Sequence, residues 1–506
     1  MIRMAHKPGL KFPENWLQPV LAALIILCGF AIRLYDLDDP PLDFHASRQL
    51  RSAIITRAFY YEALEGTSGP LAVRAAELAE LERYEPPIME RVVAKMDQFF
   101  GREVFWTGRI FSSFFWALGG IFVFLICRQI ASAATGLVSL LLYFFLPFSV
   151  IASRSFQPDP WMCAWVVFTA WLIIRWTDSG SWKAAALAGV AGGAAILIKA
   201  FAGFFVGAML IGACLAAMER KNWQRWLFQA VVAGVLMVVP SLIYYLGLNP
   251  GRSSDFFSFW VVSLSGIIRT PRFYASWIAM LKGLTGLILP ILAIWGAFLV
   301  ERRPIRGMLI GWWVGYGLYG LVVPYQIMTH EYYSLILIPL IAVSISPLLK
   351  ILIEKTVQSG RKTVVAVGLL LGLAAAYGGY ASCGTLRGSD YRLEPVSWQR
   401  IGENLPEDEP FAALTADYGM RLIYYGWRMP ALSWPDSSDQ ALFEMAGRTQ
   451  EDFSSYFTAQ TTGKSFFLVT AFGELEAQPE LAEKLAGYPI YASGNGYTIF
   501  DLRESN

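Results

Sequence analysis

The stretch AAALAGVAGGAAILIKAFAGFFVGAMLIGACLAAM, Ala184 to Met218, decides the fold. It is apolar throughout except for Lys199 near its middle. A hydrocarbon core about 30 Å thick is crossed by a helix of roughly 20 residues, so the run is too long for one crossing. A lysine at mid-bilayer is costly, and the sequence therefore predicts a hairpin, 184–198 and 201–218, with Lys199 at the turn. Lipid offers the backbone no hydrogen-bond partner, so runs of this kind are helices.

Working outward, similar runs occupy 16–35, 105–127, 132–150, 160–176, 227–246, 277–300, 307–323, 333–349 and 364–382. With the hairpin they predict a polytopic α-helical membrane protein of about eleven transmembrane helices. Composition agrees, since 55% of the 506 residues are hydrophobic and the mean hydropathy is +0.45. A net charge of +2 points to no nucleic-acid partner. Cys28, Cys127, Cys163, Cys214 and Cys383 supply neither a disulfide framework nor zinc spacing. The first run ends in GFAIRLYDLDD without a small-residue cleavage site, so it reads as a retained span.

Short loops set the sidedness. Arg3, Lys7 and Lys11 precede the first span, and if that end is cytoplasmic every later inside loop is basic. Those loops carry Arg128; Arg175 and Lys183; Arg220, Lys221 and Arg225; Arg302, Arg303 and Arg306; and Lys350, Lys355, Arg361 and Lys362. The outside segments are then 36–104, 151–159, the Lys199 turn, 247–276, 324–332 and everything after Ser382. Arg252, Arg269 and Arg272 run against this assignment, but long loops weigh little in it. The expected organisation is a membrane domain over 1–382 and an extracytoplasmic domain over 383–506.

In the first loop, Arg48 to Leu64, Val73 to Leu81 and Ile88 to Phe100 predict helices lying along the interface with one face in the headgroups. In the tail, PFAALTA, RLIYYG, SFFLVTAF and YTIFDL read as strands, while Asp439 to Ala446 and Leu475 to Leu485 read as helices. About 120 residues suffice for a small α/β domain with its own core.

The polar motifs collect on the outer side. PPLDFHASRQLRSA, Pro40 to Ala53, puts Asp43, His45, Arg48 and Arg51 within nine positions beside a membrane. Carboxylate and imidazole can move protons or hold a divalent metal, and arginine can clamp phosphate. Alone, such a loop is ordinarily a solvated set of paired charges. Glu85 precedes Pro86 and Pro87, where it is a metal ligand, an orienting group or a first-turn acid. Arg109 lies about one turn inside the second span, able to snorkel or to hold an anionic headgroup. Asp159, between prolines in RSFQPDPWM, either ends helices or joins a site, and Lys199 either snorkels or offers a point charge to phosphate. HEYY, His330 to Tyr333, enters the tenth span. Of three histidines, His45 and His330 fall in these outer motifs and only His6 lies on the inner tail.

Some classes are disfavoured. No GxxxxGK[ST] is present, and no GxGxxG follows a strand. Charged residues within the spans are few, whereas an ion-coupled carrier usually needs intramembrane carboxylates or broken central helices. The energy source is then the substrate itself.

Taken together, these residues resemble the GT-C membrane glycosyltransferases, specifically the protein O-mannosyltransferase and aminoarabinose–lipid A transferase superfamily. The resemblance is carried by RLYDLDDPPLDFHASRQ (Arg33 to Gln49), PPIMERVVAKMDQFFGREVFWTGRIFSS (Pro86 to Ser113), Lys199 closing the fifth span, and HEYY near the tenth; it covers most of 16–350. It implies an inverting transfer of sugar from a polyprenyl-phosphate donor to a lipid, glycan or protein acceptor at the outer face of a cell membrane. The family's Asp-Glu pair is not present: laid against PPL, its aspartate falls at His45, with Asp43 two residues earlier. The family's Gly-Pro after the lysine is missing as well. Because the family uses a carboxylate, the resemblance implies Asp43 as general base, with His45 as the other candidate. Arg48, Arg109 and Lys199 would stabilise the leaving phosphate, and Glu85, Asp159, His330 and Tyr333 would contact substrate. A divalent ion, if one is used, would fall to Glu85 and His330. The rival readings are a lipid-linked-sugar flippase and a glycan-binding scaffold.

Overall fold

The computed structural model describes residues 16–80, 83–218, 222–448 and 452–503. Arg3, His6, Lys7, Lys11, Leu81, Arg220 and Lys221, which entered the reading above, lie outside them. Helices occupy each of the expected spans. By length and composition, Thr107–Ile130, Trp223–Leu248 and Arg361–Arg387 can each cross a membrane alone, and up to six crossings result if each bent pair is one span. Leu17–Arg33, Trp182–Ile198 and Ala202–Ala217 are shorter apolar helices.

Three expected spans are broken. Ala133–Phe145 and Pro147–Arg154 meet at 63°. Pro147 has no N–H to continue the ladder, and it holds Leu146 in extended backbone. The carbonyls exposed there are collected by Arg33, which is fully buried and donates to Phe144 O (3.2 Å) and Ser149 O (3.1 Å). Pro271–Thr285 and Ile288–Phe298 meet at 90° around the left-handed Gly286 (φ 68°), so 277–300 is not one straight helix. Glu331–Ser344 and Ser346–Gln358 meet at 43°.

Small residues let the helices approach closely. Along Ala202–Ala217 and Arg303–Val322, Gly212 faces Gly307, Gly311 faces Ala208, and Gly315 faces Phe204, in each case backbone against backbone. The pairing is antiparallel, so the start of the first helix lies beside the end of the second. Leu369, Leu370 and Leu373 on Arg361–Arg387 point outward, as residues facing lipid do.

The first loop differs from expectation. Its helices form at Ala46–Glu65, Pro70–Ala79 and Ile88–Phe100. However, Ala46–Glu65 is buried nearly all round rather than on one face. Its apolar residues come at mixed spacing and cover two sides, and Leu50, Ile54 and Phe59 pack in one core with Met420, Ile423 and Tyr424 of the tail. Arg57 donates to Tyr424 O and pairs with Glu103 at 2.8 Å.

The tail forms a five-stranded sheet in the order β2-β1-β3-β5-β4. The strands are β1 (Phe411–Leu414), β2 (Leu432–Ser433), β3 (Phe466–Val469), β4 (Ile490–Gly494) and β5 (Tyr497–Asp501). β2, β1 and β3 run parallel, and β5 is antiparallel to β3 and β4. Trp398, Ile401 and Leu422 cover one face, while Trp434, Phe457 and Leu481 cover the other. RLIYYG is helical (Met420–Gly426) and not a strand. A helix sends Leu422 toward the sheet and Ile423 and Tyr424 toward the first loop, which serves both cores. The expected helix over 475–485 is split into Phe472–Glu476 and Pro479–Ala486, with Pro479 starting the second.

Candidate active site

Helix Pro158–Ser179 begins at the same end of the bundle where the neighbouring Trp182–Ile198 finishes. Asp159 in the first turn of one helix thereby meets Lys199 just past the end of the other. Lys199 Nζ lies 2.7 Å from Asp159 Oδ1, and both side chains are buried, so the lysine does not snorkel. The ammonium sits over the rings of Tyr333 (4.2 Å) and Tyr332 (5.2 Å).

Arg48 and Arg51 stand one turn apart on Ala46–Glu65 and close on Glu85 at 3.7 and 4.0 Å. Arg51 stacks over Tyr84 at 4.0 Å, and Arg48 lies 5.9 Å from the Tyr332 ring. Burial pushes the Glu85 carboxyl up, but Arg48, Arg51 and Lys199 outweigh it and hold the group below the usual carboxylate range. Glu85 is thus clamped by arginines instead of starting a helix.

His45 adopts a left-handed backbone (φ 48°), uncommon for a side chain of its size. It aims Nε2 at Glu331 Oε2, 3.2 Å away. Its ring stacks on His330 at 5.6 Å and meets the edge of Tyr332 at 4.6 Å. Burial, with help from His45 and Arg48, pushes His330 down to about 4, so this imidazole is neutral at pH 7. Its Nδ1 is 2.7 Å from Thr329 Oγ1. Glu331 is pushed up by burial but held below its ordinary value by the hydrogen bond from His45.

Asp43 lies in the next layer. Its Oδ1 accepts from both the Arg109 guanidinium and Gln49 Nε2, the latter at 3.2 Å. Arg109 is fully buried and also donates to Asp39 O (3.0 Å), Pro40 O (3.4 Å) and Gln49 Oε1 (3.4 Å). Arg109, expected at the donor phosphate, here holds the first loop through these bonds. Five donors in a rigid fork suit that task.

The sequence motifs from five separate segments thus converge, with Arg48, Glu85, Asp159, Lys199, His45, His330, Tyr332 and Tyr333 in one cluster. Three of its buried polar atoms lack a hydrogen-bond partner among the described residues: Arg48 Nε, a donor, Asp159 Oδ2, an acceptor, and His45 Nε2, whose neighbour is the Glu331 carboxylate at 3.2 Å. Buried polar groups are nearly always paired, so such atoms mark a place for a ligand. Glu331 and Tyr332, beyond the residues expected from HEYY, join the site through His45, and their adjacency to His330 is the sequence signal for them. Glu90 and Asp97 were also missed. They recur with Val93 and Ala94 on the buried face of Ile88–Phe100, and burial pushes both carboxyls up to about 7.

Glu85 does not suit a divalent ion, since it faces two guanidiniums, which repel a cation. Among the described residues no group of three or more His, Cys, Asp or Glu could hold a metal.

Residues 84–244, from the Glu85 motif through Asp159 and Lys199, match the family model described as dolichyl-phosphate-mannose-protein mannosyltransferase. Among solved structures, ArnT of Cupriavidus metallidurans bound to undecaprenyl phosphate aligns over 95% of this chain and 97% of its own, with TM-score 0.58 and 16% identity. The Archaeoglobus fulgidus oligosaccharyltransferase AglB, in complex with an inhibitory peptide and a dolichol-phosphate, aligns over 97% of this chain and 75% of its own, with TM-score 0.57 and 13% identity. The mycobacterial arabinofuranosyltransferase AftD aligns over 98% of this chain and 40% of its own, with TM-score 0.55 and 15% identity. No curated protein matches by sequence. At these identities the likeness is one of fold, and the fold is that of the GT-C membrane glycosyltransferases.

Proposed function

We propose that the protein is an integral-membrane glycosyltransferase that moves a sugar from a polyprenyl-phosphate donor to an acceptor hydroxyl on the extracytoplasmic side. In this reading the chain crosses a cell membrane about eleven times, with a cytoplasmic N-terminus, a membrane domain over 1–382 and an outer domain over 383–506. The observation that carries it is the convergence of Arg48, Glu85, Asp159, Lys199 and His330 in one partly buried polar cluster with an unpaired donor and acceptor. The undecaprenyl phosphate bound by ArnT supports the choice of donor.

The reaction is a single displacement with inversion. The acceptor oxygen attacks the anomeric carbon as the bond from that carbon to the phosphate oxygen breaks. Asp43 takes the hydroxyl proton through its carboxylate, which Arg109 and Gln49 hold in place. The departing phosphate collects its charge against Arg48, whose Nε is the spare donor, and against Lys199. Asp159 Oδ2 accepts from a sugar hydroxyl, while Glu85 fixes Arg48. The neutral His330, with His45 and Glu331, lines the acceptor side.

The test is transfer by the purified protein from a panel of radiolabelled polyprenyl-phosphate sugars to envelope lipid, glycan and protein fractions. Labelled product with wild type, and about a hundredfold less or lower still with Asp43→Asn, is the expected result. Movement of labelled donor across vesicles without product would replace the transferase with a flippase.

A further inference from the structure

A cavity of about 810 Å³ opens between the outer domain and the segment bearing Phe259 and Trp260. That volume falls within the range of small-molecule sites, about 300–1,000 Å³. Arg448 bridges the two sides, 5.0 Å from the rings of both Phe259 and Phe443. A chain of ring contacts links the cavity wall to the polar cluster: Trp260 lies 5.8 Å from Tyr325, and Tyr325 lies 6.1 Å from His330. We propose that this cavity binds the acceptor, and that the acceptor is a saccharide; the second statement rests on the transferase reading above.

Three features argue for that chemistry. Aromatic residues alternate around the cavity with carboxylates and amides, among them Asp439, Gln440 and Gln460. Ring faces pack against the C–H faces of a sugar, and the polar groups bond its hydroxyls. The charged lining is mostly acidic, Asp439, Glu444 and Glu480 against Arg448, which disfavours phosphorylated or carboxylated ligands. A peptide acceptor taken up as an added strand would need an edge, but β2, the edge strand here, is two residues long.

Backbone strain is concentrated at the same wall. Asp417 (φ 55°), Tyr418 (φ 56°) and Gly419 (φ 78°) are left-handed in succession. Arg421 Nε holds Asp417 Oδ2 at 2.7 Å, and the Tyr418 hydroxyl donates to Asp439 Oδ1 at 3.2 Å. The segment is thus held in a costly conformation that brings Tyr418, half exposed, to the cavity.

The experiment uses full-length protein immobilised in detergent and exposed, without donor, to the delipidated saccharide fraction of the source cells' envelope. Bound saccharide is measured by monosaccharide analysis. Wild type should retain it saturably, Trp260→Ala and the isosteric Asp439→Asn should retain at least tenfold less, and a change at the exposed Glu354, Glu354→Gln, should match wild type. No retention by wild type, equal retention by both cavity variants, or an equal loss in Glu354→Gln would overturn the proposal, as would retention of the envelope peptide fraction instead. Retention requires no bond formation, so a failed transfer assay and a failed retention assay refute different statements.

Discussion

Lys199 Nζ and Asp159 Oδ1 lie 2.7 Å apart at the joint between two antiparallel helices, and neither side chain reaches solvent. Removing one partner strands the other charge, so Lys199→Met should cost about 3–5 kcal/mol of stability. The double variant Lys199→Met with Asp159→Asn should regain most of that loss while remaining inactive in transfer. Thermal unfolding in detergent, set beside the transfer assay, separates the structural role from the chemical one. Full activity in the double variant would remove both residues from the site.

Arg48 should act on the donor. Lysine keeps the charge but loses the planar fork and the Nε donor. Arg48→Lys should therefore raise the KM for donor about tenfold, and Arg48→Ala should also lower kcat. Steady-state kinetics at varied donor concentration checks both; an unchanged KM would assign Arg48 to Glu85 alone.

Asp43 should be the group whose loss is felt in the chemical step. General-base catalysis is worth about 10²–10⁴-fold, so Asp43→Asn should lower kcat by that factor with little change in donor KM. Arg109→Lys, which loosens the clamp on Asp43 Oδ1, should reproduce part of the loss. If His45→Gln proves the more damaging change, the imidazole facing Glu331 takes over the base role.

Glu90 gives a pH signature independent of activity. Its folded value is pushed up to about 7 by burial, above its ordinary 4.5. Below about pH 4.5 both folded and unfolded states hold the proton. Between 4.5 and 7 only the unfolded state releases it, so the group lowers stability as pH rises through that window, and the deficit is complete above 7. The gain in Tm from Glu90→Gln should accordingly be larger at pH 8 than at pH 5. A gain independent of pH would show that ionisation is not the cause.

The helical spans were legible because lipid leaves an apolar run of that length no other structure. The hairpin at Lys199 was legible because a buried lysine needs a reason. Where proline or glycine redirected a run, at Pro147 and Gly286, the hydropathy pattern alone concealed the break. RLIYYG was misread because a short segment packed on two sides has no period to reveal it. The motif residues of the site were all visible, but their partners were not: nothing local to Asp43 announces Arg109, sixty-six positions away. The role of Arg109 emerged only from its burial.

The glycine seam between Ala202–Ala217 and Arg303–Val322 has a consequence for tuning. The first helix starts just after Lys199, and the second leads toward His330. The thickness of the seam is set by hydrogen atoms, since a Cβ at Gly311 or Gly315 would run into the carbonyl oxygen of Ala208 or Phe204. The seam is therefore a calliper whose jaws are the Lys199 turn and the His330 segment. A single methyl group added far from the sugar would open those jaws, making gap width an adjustable trait that leaves every reacting group in the sequence intact.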